Sequence, residues 1–279
     1  MTTEAPWSEA LRSAYGENYP SAGKKLQAGP TISLPIVSSV SGGPQVKRVD
    51  FAKFCSSDER VLVFSAKANN GQLVANLRAS SDNCVIWEMP KTGHVFTLTG
   101  KAYIVAAPSL SHRFGTPPKR ISLPENVYPE EYWEASREAV WASLNPRARA
   151  TFTWPSGSSP RTPIEGSVES IYNGPDGRPS SSKVGLHVLL DEMVVGFKYM
   201  RLDALSGDAV VPASPGAPPT REQELLCIHN AAKDNLCLVV LKVLQCEVLE
   251  PASAISPPQR CIYQFAAKDG SWSCVEMNP

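Results

Sequence analysis

The sequence predicts a mainly β protein, a barrel with helices packed outside it. Short apolar runs of strand character outnumber helical segments, and they do not alternate regularly with helices. The longest run, residues 236–249, is almost continuously apolar, which is typical of one or two central strands. Near the carboxyl end, two further runs flank the turn Asp269-Gly270, as expected of a β-hairpin. These observations favour a barrel over an alternating α/β sheet.

Helical spacing of apolar residues occurs in residues 6–19 and again in residues 129–144. Pro129 is followed by two glutamates, a combination typical of the first turn of a helix. Residues 206–220 contain four prolines and several small residues, so we expect a mobile loop there. We interpret residues 1–279 as a single domain built from these elements.

One predicted strand carries a residue that is unfavourable in a sheet. Residues 31–40 are rich in apolar side chains but include Pro35, which has no amide hydrogen to donate to a neighbouring strand. We therefore expect an edge strand or a bulge at this position.

Composition excludes several classes of function. Lys plus Arg and Asp plus Glu both number 27, so the chain lacks the cationic surplus that sequence-independent nucleic-acid binding requires. No apolar run approaches the roughly 20 residues of a membrane-spanning helix. The seven cysteines are odd in number and widely spread, which favours reduced thiols in a cytoplasmic protein over a disulfide framework.

The histidines give weak signals for chemistry. Cys227 and His229 form a close Cys/His pair, but a closed zinc site needs four ligands, so we predict no metal centre. We interpret the pair as a core thiol beside a surface imidazole. His94, His112 and His187 are isolated in the sequence, which favours structural roles, although His94 opens a strand and could face a pocket.

Basic residues cluster on one predicted strand and just after the next. They are Lys47, Arg48, Lys53 and Lys67. A buried anionic ligand requires such a cluster, because its charge must be neutralised and hydrogen-bonded. Solvent-exposed faces are the alternative, since Lys and Arg side chains are mostly exposed.

The carboxyl end resembles that of pyridoxamine 5′-phosphate oxidase-like proteins, in their FMN-binding split-barrel branch. The matching features are Arg260, Tyr263, Trp272 and the terminal Met277-Asn278-Pro279, and upstream the pattern Arg137, Trp141, Leu144, Arg149, Phe152 and Trp154-Pro155. The resemblance implies a split β-barrel that forms a homodimer, with a cleft between subunits where relatives hold FMN.

The cofactor residues of the resembled family are mostly replaced. Relatives have arginines where this chain has Lys47 and Ala52, a phosphate loop Arg-Ser-x-Lys at Asn69-Asn70-Gly71-Gln72, and a Gln and an Arg at Val95 and Thr97. Arg260 is the clear match. Because most replacements remove a charge or a hydrogen-bonding group, the resemblance implies a retained scaffold with no bound cofactor.

Three functions remain open for a small-molecule substrate. The first is a cofactor-free isomerisation, cyclisation or rearrangement of specialised metabolism, with Arg260 and His94 as catalytic residues. The cleft would then be lined by Lys47, Asn69, Asn70, Gln72 and Thr97. The second is an FMN-dependent oxidoreductase, whose phosphate would be held by Lys47, Arg48 and Lys67. The third is a non-catalytic ligand-binding relic. We favour the first slightly.

Overall fold

A computed structural model describes most of the chain outside residues 154–228. The described residues are 4–20, 31–80, 82–115, 117–118, 121–144, 148–149, 151–153, 229–253 and 256–279. The predicted loop at residues 206–220 lies outside them, as do His187, Cys227 and Trp154.

Among these residues, eight antiparallel strands form one sheet. In chain order they are β1 (Ser33–Val40), β2 (Gly43–Phe54), β3 (Val61–Lys67), β4 (Asn83–Glu88), β5 (Val95–Val105), β6 (Leu236–Glu250), β7 (Gln259–Ala266) and β8 (Ser271–Met277). Their order in the sheet is β3-β2-β1-β4-β5-β6-β7-β8. An additional pairing of β3 with β6 closes the first six strands into a barrel.

Strand β6 has three neighbours because it is longer than any of them. One edge runs along β5, from Leu238 to Leu249. The other edge pairs with β3 over residues 236–242 and then with β7 over residues 245–250. The hairpin of β7 and β8 therefore continues the sheet beyond the point where the barrel closes.

In the described part of the chain, four α-helices accompany the barrel. They are α1 (Ser8–Asn18), α2 (Gly71–Ala79), α3 (Ser111–Phe114) and α4 (Pro129–Ser143), with 3₁₀ turns at Pro108–Leu110 and Thr151–Thr153. Trp7, just before α1, and Leu11 within it are buried in the same core as the barrel interior. The Asn70 side chain caps α2 by accepting a hydrogen bond from the amide of Leu73.

The long apolar run in β6 is explained by burial on both faces. Val239 and Leu241 point into the barrel, where they join the core that contains Phe64 and Trp87. The alternate residue Val240 points outward into a second core beneath α4. Because successive side chains of a strand face opposite ways, a strand buried on both sides must be continuously apolar.

The prediction that residues 31–40 form an edge strand is wrong. Strand β1 lies between β2 and β4. Its pairing with β4 is short and runs from Ile36 to Ser38, so Pro35 lies just outside it. The missing amide hydrogen of Pro35 is therefore not needed in that ladder.

Replacing Gly100 by Ala is expected to destabilise the barrel. A Cβ atom at this position would lie 2.0 Å from the carbonyl oxygen of Lys242 and 2.8 Å from the Cα of Val243. Both contacts are with backbone, so β5 and β6 would have to separate. We expect the free energy of unfolding to fall by about 3 kcal/mol, measured by urea denaturation.

Gly16→Ala is the matched control. Gly16 lies within α1, and a Cβ there would meet nothing within 4 Å. Alanine is the better helix former, so this variant should be stabilised by about 0.5–1 kcal/mol. A loss below about 1 kcal/mol in Gly100→Ala would contradict the close approach of the two strands.

Candidate functional site

A polar cluster lies at the amino-terminal end of α2. Asn69 and Asn70 directly precede the helix, and Gln72 lies in its first turn. Lys47 reaches the same place from β2, and its Nζ donates a hydrogen bond to Gln72 Oε1 at 2.6 Å. Asn69, Asn70 and Gln72, which the sequence analysis aligned with the phosphate loop of the resembled family, therefore lie at the start of a helix. Lys47, which was assigned to the same cleft, bonds directly to Gln72.

The backbone amides of this cluster are already used inside the chain. A helix start binds anions through such N–H groups, provided that they point at the ligand and lack other partners. Five of the six amides over residues 69–74 donate within the protein. Their acceptors are Asn235 Oδ1 for Asn69 (2.9 Å), Lys67 O for Asn70 (3.0 Å), Asn69 O for Gly71 (2.9 Å), Asn70 Oδ1 for Leu73 (3.3 Å) and Asn70 O for Val74 (3.1 Å).

The other basic residues of β2 do not join Lys47. Arg48 is its neighbour on a strand and therefore faces the opposite side of the sheet, where it donates to Ser33 Oγ and Ser33 O. Lys53 follows a bulge in β2 and donates to Ser136 of α4 at 3.1 Å. The basic residues are therefore distributed over two faces of the sheet and do not surround one anion.

Lys67 and Asp50 form a half-buried charged pair near the end of β3. Burial lowers the pKa of Lys67, and the carboxylate of Asp50 opposes that shift. Burial likewise raises the pKa of Asp50, against the attraction of Ser33, Arg48 and Lys67. The Lys67 ammonium therefore has a counter-charge within the chain.

A second polar group lies on the outer face of the sheet. Thr97 of β5 is directly opposite Glu247 of β6. Arg260 of β7 lies on the next strand, and its Nε donates to Glu247 Oε1 at 2.8 Å. The Arg260 side chain is 35% exposed and that of Glu247 is 28% exposed, so both can reach a bound molecule.

Glu247 is a functional candidate that the sequence analysis missed. It stands in the apolar run of β6, where its neighbours Cys246 and Val248 are buried. A carboxylate inside such a run is the signal that would have found it, because it marks the residue that faces outward. Its pairing with Arg260 depends on the strand register and not on their spacing in the sequence.

His94 does not join Arg260. Its ring stacks on Phe96, with ring centres 6.0 Å apart, and Phe96 points into the barrel core. Arg260 lies on the outer face. Within the described part of the chain, no hydrogen bond or ring contact connects the two, and the buried Nδ1 of His94 has no hydrogen-bond partner.

The two polar groups are also separated within one subunit. Lys47 is in register with Ile36, Val85 and Leu98, which are buried in the barrel. Three strand spacings, about 14 Å, separate β2 from β5. Thr97 lies beside Leu98 and faces the other side of the sheet. One subunit therefore does not bring Lys47 and Gln72 together with Thr97 and Arg260.

The cysteine and histidine residues form no metal centre in the described segments. No group of three or more potential ligands occurs there, and the six described cysteines are free thiols. His229 is buried against Trp141, with ring centres 5.4 Å apart, so the prediction of a surface imidazole is wrong. Burial and the nearby cations Arg149 and Lys233 lower its pKa to about 4.

Among the described residues, no helix is long and apolar enough to cross a membrane.

Solved structures share this architecture at low sequence identity. A pyridoxamine 5′-phosphate oxidase-related, FMN-binding protein from Nostoc punctiforme PCC 73102 is 17% identical, with 99% of each chain covered and a TM-score of 0.55. The chain has the split-barrel fold of that protein. PhzG from Burkholderia lata 383, in complex with tetrahydrophenazine-1-carboxylic acid, is 11% identical over 99% of this chain and 98% of its own, with a TM-score of 0.49. No family model and no curated protein matches the sequence.

The donors of this split barrel fit the phosphate of FMN poorly. A dianionic phosphate leaving water needs several charge-assisted hydrogen bonds. The cluster at α2 offers one ammonium, on Lys47, which is already bonded to the neutral amide of Gln72. Five of the six surrounding amides, over residues 69–74, already donate to acceptors within the chain.

Proposed function

We propose that this protein is a small-molecule enzyme that works without FMN and catalyses an isomerisation or ring closure. The observation that carries the proposal is the hydrogen bonding at the start of α2. There most of the backbone amides donate to acceptors within the chain, and Lys47 donates to Gln72, at the positions where the resembled family has its phosphate loop. The free thiols of the described cysteines support a cytoplasmic location.

The chemistry is assigned to Glu247 and Arg260 on the outer face. Glu247 accepts a proton from a carbon next to a carbonyl group, and Arg260 stabilises the negative charge that develops on the carbonyl oxygen. The Glu247 carboxyl group exchanges its proton with solvent and then delivers one to a different carbon, which completes an isomerisation. No electrons enter or leave, so the reaction requires no flavin. Thr97, across from Glu247, offers a hydroxyl group that orients the substrate.

A second copy of the chain is proposed to complete the cleft. The outer face around Arg260 is apolar for a surface. Ile262 lies between Glu247 of β6 and Val275 of β8 in the register, and the exposed fractions of Val275 and Met277 are 55% and 44%. Such a face favours burial against a partner. The homodimer would place the substrate between the subunits, next to Glu247 and Arg260.

Restoring the phosphate loop is expected to create FMN binding. The variant combines Asn69→Arg, Asn70→Ser and Gln72→Lys, and leaves Ala52, which packs beneath α4, unchanged. We expect the purified parent to be colourless and to show no FMN binding by calorimetry. The variant should bind FMN at least about tenfold more tightly, because each charged hydrogen bond is worth roughly 1.5–3 kcal/mol.

Riboflavin, which lacks the phosphate, is the matched control ligand. Its affinity should be the same for parent and variant, since the substitutions add phosphate-binding groups alone. A parent that purifies with a flavin absorption band would contradict the proposal and would favour an oxidoreductase. Equal FMN and riboflavin gains would show that the substitutions opened the cleft instead of supplying charge.

The reaction class is tested by looking for products that have the mass of their substrates in ordinary water and are heavier only by the deuterium gained in deuterium oxide. The parent is incubated in deuterium oxide with a panel of small cyclic and conjugated ketones, and the products are followed by mass spectrometry and proton NMR. We expect isomeric products with deuterium at the carbon that receives the proton. Glu247→Gln removes the base and should lower the rate by about 10²–10⁴-fold.

Gln264→Ala is the control, because Gln264 lies on the same strand face as Arg260, two residues beyond Ile262. Its rate should stay within about twofold of the parent, as expected of a residue outside the acid–base pair. If Glu247→Gln retains the parental rate on a converted ketone, the assignment of Glu247 as the base is wrong.

The homodimer is tested with Val275→Arg, which places a charge in the exposed apolar face of β8. An obligate interface buries more than about 2,000 Å² in total, and a buried unpaired charge would disrupt it. Light scattering should report a dimer for the parent and a monomer for the variant. Val127→Arg, at a partly exposed valine before α4, should remain dimeric. A monomeric parent at micromolar concentration would refute the shared cleft.

A further inference from the structure

A cavity of about 340 Å³ lies at the carboxyl end of α2, away from the polar cluster at its start. The helix contributes Leu77 and Arg78 to the wall, and β5 contributes residues 101–104. Ser80 and Phe114 complete the lining. This volume is in the range of small-molecule binding sites.

As far as the described residues go, the lining carries two cations and no carboxylate. Arg78 and Lys101 supply the positive charges, and neither forms an ion pair within the described residues. The remaining walls are largely apolar, with the aromatic rings of Phe114 and Tyr103 among them. Such a lining suits a molecule with an apolar body and one negative charge.

A like-charged pair lies beside the cavity. Lys101 of β5 is directly opposite Lys242 of β6 in the register. Like charges directly opposite each other destabilise a sheet, because the repulsion acts at about 5 Å. Lys242 has an interaction of its own within the chain, so the argument for an anionic ligand depends on Arg78 and Lys101, which line the cavity.

Arg78 is held in position before any ligand arrives. Its Nη2 donates to the backbone carbonyl of Arg113, and its guanidinium carbon lies 5.4 Å from the centre of the Phe114 ring. The carboxyl end of α2 itself attracts a cation and so accounts for part of the placement of Arg78. It does not account for Lys101, which stands on a different element.

The geometry points to a second binding site here, for a small organic anion with a planar apolar body, such as an aromatic carboxylate. The carboxylate bonds to Arg78 and Lys101, and the planar body lies against Phe114 and Ile104. The site is separate from the proposed acid–base pair and does not depend on the proposed reaction.

Calorimetric titration with 1-naphthoate tests this site. The parent should bind it with a dissociation constant in the millimolar range or below. Arg78→Gln and Lys101→Gln should each weaken binding by roughly tenfold or more, because each removes a charge-assisted hydrogen bond. The neutral analogue 1-naphthamide should bind the parent at least about tenfold more weakly, for the same reason.

Arg113→Gln is the matched control. The guanidinium carbon of Arg113 lies 5.5 Å from the centre of the same Phe114 ring, but the Arg113 side chain does not line the cavity, so the variant removes an equal charge from just outside the site. Binding should change less than about twofold, because a screened surface charge contributes little. An equal loss in Arg113→Gln would show a general positive field instead of a site. Absence of saturable binding up to about 5 mM, or tighter binding of inorganic phosphate than of 1-naphthoate, would overturn the proposal.

Discussion

The close approach of β5 and β6 at Gly100 is the constraint on which the rest of the barrel depends. With no side chain at Gly100, β5 can follow β6 past the carbonyl of Lys242. At the same level, the other edge of β6 passes from β3 to β7, and the amide of Val243 donates to the carbonyl of Arg60. Asp58 holds the Arg60 guanidinium through two hydrogen bonds, at 2.9 and 2.8 Å. The barrel therefore closes at the same level of β6 at which the hairpin of β7 and β8 begins to extend the sheet.

The change of partner along β6, from β3 to β7, also determines which of its outward-facing side chains are exposed and can take part in chemistry. Before it, the outward residue Val240 of β6 is buried beneath α4. After it, the outward residues include Glu247, a partly exposed carboxylate. The same alternation of side chains thus produces an outer core in one half of the strand and a polar group in the other. The candidate acid–base pair occupies the part of the outer face that lies beyond Val243.

The sequence predicts the barrel and its central strand well, because an apolar run as long as residues 236–249 has few other structures available. It does not predict α2. Asn69-Asn70-Gly71 has the composition of a turn, and turns and helix caps use the same residues. The sequence also does not predict the pairing of Glu247 with Arg260, because that pairing depends on the register between β6 and β7. A shift of one residue in that register would turn the side chains of a strand to the opposite face of the sheet. Pro35 led to the wrong prediction of an edge strand, because the sequence does not show how far the pairing of β1 with β4 extends.

The self-contained hydrogen bonding at the start of α2 has a consequence for the life of the protein in a cell. A ligand that binds the native state stabilises a protein by an amount that rises with the logarithm of the free ligand concentration, so a flavoprotein gains stability from a plentiful cofactor. At the start of α2, amides donate to acceptors within the chain: the side chains of Asn70 and Asn235 and the carbonyls of residues that precede the helix. These hydrogen bonds therefore contribute to the stability of the helix start whether or not an anion is supplied.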